Sequence, residues 1–284
     1  MRYGNTCTHL ADLAIRQSGL ASKSPGSFLV GAMLGGAFVG IAMILALSVG
    51  AHLEPSVRPL AMGAVFGIAI LLTLFGGGEL FTGQTMFATF ALLSGKLALP
   101  SAFRLLALSW AGNMAGAGLV SLLFALGGGG QVYGSGTLLH DLVGFKIHSP
   151  AMAILARAIL CNWLACLGIW SAARLTSESG KMIVLSWCVA AYVTCGFDHS
   201  IANAALFALD AMSPGPAGDL AGMACSLGLV SLGNLLGGSV LVAGAYVIYS
   251  RGERPAADNS AAKLDLPHLP STVRDRLAML QASA

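Results

Sequence analysis

Charge is what this chain has least of. Of its 284 residues, 15 are Lys or Arg and 12 are Asp or Glu, against roughly a quarter charged in a soluble domain. That scarcity excludes an ordinary cytosolic enzyme, a nucleic-acid binder and a disordered chain. Signatures of metal and haem centres are missing too. Its six cysteines form no C-x-x-C pair; Cys161, Cys166, Cys188, Cys195 and Cys225 fall in apolar stretches, where cysteine behaves as a small hydrophobe, and Cys7 lies in the polar head. His199 is the one histidine inside an apolar span, too few for haem ligation on both sides. Period-two alternation of polar and apolar residues is absent, which argues against an outer-membrane barrel. Residues 1–26 are polar with weak helical patterning, so no cleavable signal peptide is expected there.

What remains is apolar and small: 56% hydrophobic residues, 37 glycines and a mean hydropathy of +0.79. A helix crosses the hydrocarbon core with about 20 apolar residues. Uncharged runs of that order lie at 24–51, 59–78, 105–139 and 220–250, and 149–173 and 182–209 are broken only by Arg157 and by Asp198–His199. The expectation is an all-α polytopic membrane protein with six spans near 27–50, 59–93, 102–126, 150–173, 182–210 and 220–249. With the N-terminus inside, the inner segments hold Arg2, Arg16, Lys23, Lys96, Arg104, Arg174, Lys181, Arg251 and Arg254, plus three more in the tail, and the outer ones only Arg58 and Lys146, with Arg157 inside the fourth span. By the positive-inside rule both termini are then cytoplasmic. The chain divides into a cytoplasmic head (1–26), a three-helix repeat (27–126), an outer, periplasmic connection (127–149), a second repeat (150–250) and a cytoplasmic tail (251–284).

The two sets of three spans carry the same landmarks. Gly112-Asn113-Met114-Ala115-Gly116-Ala117 in the third span and Gly233-Asn234-Leu235-Leu236-Gly237-Gly238 in the sixth both read G-N-x-x-G-small. Glu79, after Gly76-Gly77-Gly78, is matched in the fifth span by Asp198, after Gly196-Phe197. Two landmarks at nearly one offset indicate a duplication, and an odd number of spans per unit inverts one copy relative to the other. A straight helix over 59–93 would reach about 52 Å, well beyond the roughly 30 Å core. Spans two and five are therefore expected to break at the glycines, and irregular backbone at that depth is tolerated only inside protein or beside an aqueous cavity. The G-N-x-x-G stripes themselves are expected to serve close helix packing.

Ionisable residues inside a membrane are costly and mark function by default, which singles out His199, a natural proton donor to a weak-acid anion near neutral pH. Thr82, at the start of the second half-helix, is either its N-cap or a hydroxyl facing a permeating anion, and both roles can coexist. For Glu79 and Asp198 two roles are open: a proton relay, or acceptance of hydrogen bonds from the exposed amides of the broken helices, holding each loop shut. The orphan amides favour the second. Asn113, Asn162 and Asn234 read as polar glue between helices, with Asn162 the one to face a pore. Lys146, in the outer connection close to the start of span four, reads on its own as a solvated loop charge, although a cation at a vestibule also concentrates anions.

Glu79-Leu80-Phe81-Thr82-Gly83, Cys161-Asn162-Trp163-Leu164 and Gly196-Phe197-Asp198-His199-Ser200-Ile201-Ala202-Asn203 together resemble the signatures of the formate/nitrite transporter family. The likeness runs over about residues 5–250, and the segment from Leu53 to Gly63 is most similar to its nitrite-transporter branch. The resemblance implies a homopentamer in a bacterial inner membrane with an aquaporin-like pore through each protomer, passing small monovalent weak-acid anions without a cofactor. It implies His199 and Thr82 at the pore centre and Lys146 and Asn162 beside it. Apolar constrictions would form at Phe66 and Ile70 on the outer side, and at Leu80, Phe81 and Tyr192 towards the cytoplasm. Asp198, Tyr192 and Ile70 stand where glutamate, phenylalanine and leucine are usual.

The reading is transport of nitrite, with proton coupling left open. Formate or hydrosulfide on the same fold is the alternative. A neutral-solute pore is disfavoured by the lack of an Asn-Pro-Ala motif, and a membrane-bound redox subunit by the lack of ligand clusters. The head, with Leu10, Leu13, Ala14 and Gln17 on one face, is expected to lie along the cytoplasmic side. A short helix is expected near 273–280.

Overall fold

A computed structural model describes residues 2–134, 138–214 and 219–253. The tail beyond them, including the helix expected near 273–280, lies outside the described residues. The described chain is helical throughout: α1 (Tyr3–Lys23), α2 (Pro25–Gly50), α3 (Arg58–Phe66), α4 (Ile68–Gly76), α5 (Phe81–Leu93), α6 (Leu99–Leu126), α7 (Gly130–Gly134), α8 (Leu138–His148), α9 (Ala151–Arg174), α10 (Glu178–Thr194), α11 (Ser200–Ala211) and α12 (Leu220–Leu236), which runs through a π-helical turn (Gly237–Gly244) into α13 (Ala245–Arg251). Proline near the first position opens α2, α3 and α6, where its missing N–H costs nothing.

Five segments among the described residues are long and apolar enough to cross a membrane: Pro25–Gly50, Arg58–Gly76, Leu99–Leu126, Ala151–Arg174 and Leu220–Arg251. The chain breaks at the two glycine–carboxylate motifs. After α4, Gly77 takes φ 82°, and after α10, Gly196 takes φ 69°; both conformations suit glycine and stop the helix. The amides of Gly78 and Phe197 turn back to the carbonyls of Thr73 and Tyr192, at 2.9 Å each. Short extended loops follow, and α5 and α11 restart with 13 and 12 residues.

Close helix crossings frame these loops. α2 lies against α6 with Gly36 on the Asn113 carbonyl and Gly116 on the Met33 carbonyl, so near that a Cβ at either glycine would overlap the oxygen. α9 meets α12 in the same way: a Cβ at Gly233 would reach the Ala158 side chain, and one at Gly237 the Ile159 carbonyl. Small residues at such contacts give the backbone-to-backbone packing on which helix association in lipid depends. α1 lies across one end of the bundle with Leu10, Ala11, Ala14 and Ala21 buried.

The connection 127–149, expected as an outer link, is largely helical. Gly128, Gly129 and Gly130, all at positive φ, turn the chain into α7 and α8, and Leu139 and Val143 bury α8 against the bundle. The glycine run masks that pattern in the sequence.

Candidate functional site

The half-helices α5 and α11 meet N-terminus to N-terminus at the centre of the bundle. His199 is the residue before α11, with φ −100° and ψ 121°, and its Nδ1 accepts the Ala202 amide at 3.3 Å. An imidazole nitrogen that accepts a hydrogen bond bears no proton, so the neutral ring carries its hydrogen on Nε2. That nitrogen lies 3.2 Å from Thr82 Oγ1, and both residues are buried. The ring stacks near Tyr192, with centroids 6.0 Å apart. Thr82 is the second residue of α5 and not its cap; Leu80 holds the cap position. The positive ends of two half-helices therefore converge on the His199–Thr82 pair, a setting that favours negative charge.

Two cavities approach this pair from opposite ends. One, of about 460 Å³, opens beneath α1 and is lined by His9, Gln17, Ile70, Leu80 and Thr82 among others. The second, of about 280 Å³, is walled by Met62, Leu142, Lys146, Phe197, Asn203 and Leu206 among others. Phe66, Tyr192 and His199 line both, so these three side chains form the partition. This differs from two paired rings. Four residues advance a helix by about 6 Å, so Ile70 lies deeper than Phe66 and faces the first cavity together with Leu80. Tyr192 sits at the partition, and buried Phe81 lines neither cavity.

The loops are held by asparagines, not by the carboxylates. Asn113 Oδ1 accepts the Phe81 amide at 2.8 Å, and its Nδ2 donates to the Ala32 and Glu79 carbonyls, each at 2.7 Å. Asn234 repeats the set in the other half: Oδ1 accepts the Ser200 amide at 2.8 Å, and Nδ2 donates to the Ala158 and Asp198 carbonyls at 2.8 and 2.9 Å. A loop peptide presents both N–H and C=O, and a carboxamide answers both where an ionised carboxylate can only accept. The expected interhelical role of these asparagines holds in their bonds to the Ala32 and Ala158 carbonyls, and the grip on the loops comes in addition.

Glu79 and Asp198 are occupied elsewhere. Glu79 Oε2 accepts from the side-chain amides of Gln17 on α1 and Gln84 on α5. Asp198, fully buried, accepts from Lys146 Nζ at 2.6 Å, Arg157 Nε at 2.7 Å and Asn203 Nδ2 at 3.1 Å. Lys146 is thus no free loop charge: α8 carries it into the bundle wall, with its side chain 12% exposed. Arg157, not among the expected site residues, shares the same carboxylate, and its guanidinium lies 4.7 Å from the Phe145 ring centroid. Asn162 faces neither cavity. It is fully buried and donates to the Thr82 and Asn234 carbonyls at 3.1 and 2.6 Å, with Thr85 Oγ1 at 3.0 Å, so it steadies Thr82 from behind. The close passage of Gly237 and Gly238 over α9 and α5 leaves it nowhere else to point.

Apolar helices long enough to span a bilayer, chain breaks that yield two facing half-helices and cavities reaching His199 from both ends define a membrane transport protein. A family profile described as formate/nitrite transporter matches residues 10–248. The chain is 39% identical over 258 residues to the nitrite transporter NirC of Escherichia coli, covering 90% of this chain and 96% of that one. Among solved structures it is similar to an FNT family ion channel, with TM-score 0.83 and 38% identity over 87% of this chain and 99% of the other. A pentameric formate channel with formate bound gives TM-score 0.65 and 26% identity, over 78% and 96%. This chain belongs to the formate/nitrite transporter family.

Proposed function

We propose that the protein passes nitrite, a small monovalent weak-acid anion, through a pore in each protomer of a homopentamer in a bacterial inner membrane, with both termini cytoplasmic. The observation that carries this reading is the His199 Nε2–Thr82 Oγ1 pair at the partition between two cavities. Six spans in two inverted repeats are part of it. The duplicated asparagine clamps support the repeat, and α10 with α11 supplies the sixth span in two pieces, each too short alone. The pentamer draws on the formate channel described as pentameric, and the bilayer on the apolar side chains that the bundle leaves exposed, such as Leu122, Leu123, Trp187 and Ile183.

An anion arriving in the second cavity meets Lys146 and then the apolar partition, where carrying net charge is expensive. At the pair, His199 Nε2–H and the Thr82 hydroxyl replace water as donors to the anion's oxygens. The Ala202 amide on Nδ1 holds the ring neutral and aims its one N–H at the pore. Outright protonation of the anion requires a second proton on Nδ1 and gives up the Ala202 bond. Hydrogen-bond donation by the neutral ring is therefore the resting mode, and proton transfer costs that bond on each cycle.

Nitrite is preferred to formate because the relative at 39% identity is described as a nitrite transporter, whereas the formate channel is 26% identical. Parallel influx of nitrite and formate into proteoliposomes holding the purified protein tests this. Faster nitrite flux at equal concentration is expected; faster formate flux overturns the substrate assignment, and no flux of either overturns the function.

A further inference from the structure

The two asparagine clamps match bond for bond, and the residue behind each loop carboxylate does not. The Glu79 amide donates to the Gly31 carbonyl at 3.0 Å, and the Asp198 amide approaches the Arg157 carbonyl at 3.4 Å. The neighbouring carbonyls of Ala32 and Ala158 take the asparagine amides. Gly31 and Arg157 therefore occupy the same place in the two clamps. Gly31 brings no side chain, and among the described residues the Glu79 carboxyl is met there by the neutral amides of Gln17 and Gln84. Arg157 brings a guanidinium that binds Asp198 Oδ2, while Lys146 binds Oδ1.

We propose that Arg157 is a positioning residue that makes the Asp198 centre net cationic and thereby sets the affinity of the second cavity for the arriving anion. This inference rests on the transport reading above. One carboxylate lies between two cations, so the cluster sums to one positive charge. Lys146 lines the cavity and Arg157 does not. Without Arg157, the carboxylate would cancel Lys146, and the Asp198 cluster would be a neutral pair, leaving the charge at that cavity to Arg58, which also lines it and donates to the Leu53 carbonyl. With it, Asp198 is neutralised from the bundle side and the lysine's charge is left for the anion. The guanidinium plane is fixed by the Phe145 ring, and its donor geometry suits a carboxylate better than an ammonium does. Among the described residues no cation binds Glu79, and Lys181 at the first cavity is paired with Glu178, so the two approaches to the His199–Thr82 pair differ in charge: cationic beside Asp198 and acidic beside Glu79.

The test is the concentration dependence of nitrite flux in proteoliposomes for wild type, Arg157→Gln, Arg157→Lys and the double variant Arg157→Gln/Asp198→Asn. Arg157→Gln is expected to raise the half-saturating nitrite concentration on the order of tenfold, the scale of focusing by a lined cleft, with maximal flux within about twofold. Arg157→Lys keeps the charge and is expected to stay within about threefold of wild type. The double variant leaves Lys146 as the sole charge of the cluster, again one positive, and its half-saturation is expected to return towards wild type. A merely structural role predicts the reverse, with the double variant at least as impaired as Arg157→Gln. Unchanged half-saturation in Arg157→Gln, or no recovery in the double variant, overturns the proposal. If Arg157→Gln does not assemble, Arg157→Lys decides: near-wild-type half-saturation supports the charge role and a tenfold rise overturns it. Wild-type protein that carries no nitrite refutes the transport reading and this inference with it, whereas normal wild-type flux with an insensitive Arg157→Gln refutes this inference alone.

Discussion

Asn234→Ala removes three hydrogen bonds from a fully buried residue: one accepted from the Ser200 amide and two donated to the Ala158 and Asp198 carbonyls. Ala158 keeps its place in α9, but the Ser200 N–H and the Asp198 C=O lose a partner where water does not reach. Each such group costs about 1–3 kcal/mol, so the loss of stability is expected to be roughly 2–6 kcal/mol. Asn113→Ala strips the matching set from Phe81 and Glu79 and is expected to cost the same within about 1 kcal/mol. Because Ser200 follows His199 and Phe81 precedes Thr82, both variants also loosen the central pair, and nitrite flux falls with each. The assay is equilibrium unfolding of the purified protein in detergent, followed by flux at a temperature where both variants remain folded. A cost below about 0.5 kcal/mol, the level of an ordinary surface substitution, in either variant refutes the claim that these asparagines hold the loops.

Three further outcomes follow from the packing and the partition. Gly116→Ala places a Cβ on the Met33 carbonyl and is expected to abolish assembly, whereas Gly118→Ala, with open space around its Cβ, leaves it intact; size-exclusion profiles of the two distinguish them. Phe66→Ala opens the partition between the cavities and is expected to raise flux of a bulkier anion such as lactate relative to nitrite, read in parallel influx assays. At the start of α1, the Tyr3 and Gly4 amides hold the Glu253 carboxyl below the usual carboxylate range. A lowered folded-state value means this bond contributes above the ordinary range and is lost as pH falls through the lowered one. The protection factors of the Tyr3 and Gly4 amides, measured against the intrinsic exchange rate at each pH, are therefore expected to be high at about pH 7 and to fall towards about pH 3, and Glu253→Gln to show the lower protection already at neutral pH.

The breaks after α4 and α10 were legible because glycine and a carboxylate inside apolar stretches have few other uses. The His199–Thr82 pair was legible once the breaks were, since each side chain sits within three residues of a loop carboxylate. Partners distant in the chain were not. Nothing local to Lys146 or Arg157 points to Asp198, 52 and 41 residues away, and a cation in a span with no visible partner says only that one exists. The asparagines were legible as interhelical glue but not as loop clamps; at Asn113 and Asn234 the glycines bring the helices close, and the asparagine then also reaches the loop. Depth was the other blind spot. Ile70 and Phe66 are one turn apart, and whether they share a ring depends on how the helix tilts past the partition, which no periodicity encodes.

The central claim is that anions pass by way of the His199 ring, and nitrite influx into proteoliposomes holding wild-type or His199→Phe protein tests it most directly. Phenylalanine keeps the ring's bulk and removes both its Nε2–H and the Nδ1 that caps α11. The account predicts flux reduced by at least about tenfold, the equivalent of roughly 1.4 kcal/mol in the barrier, together with a changed pH dependence. Wild-type rate and pH dependence in the variant would contradict it.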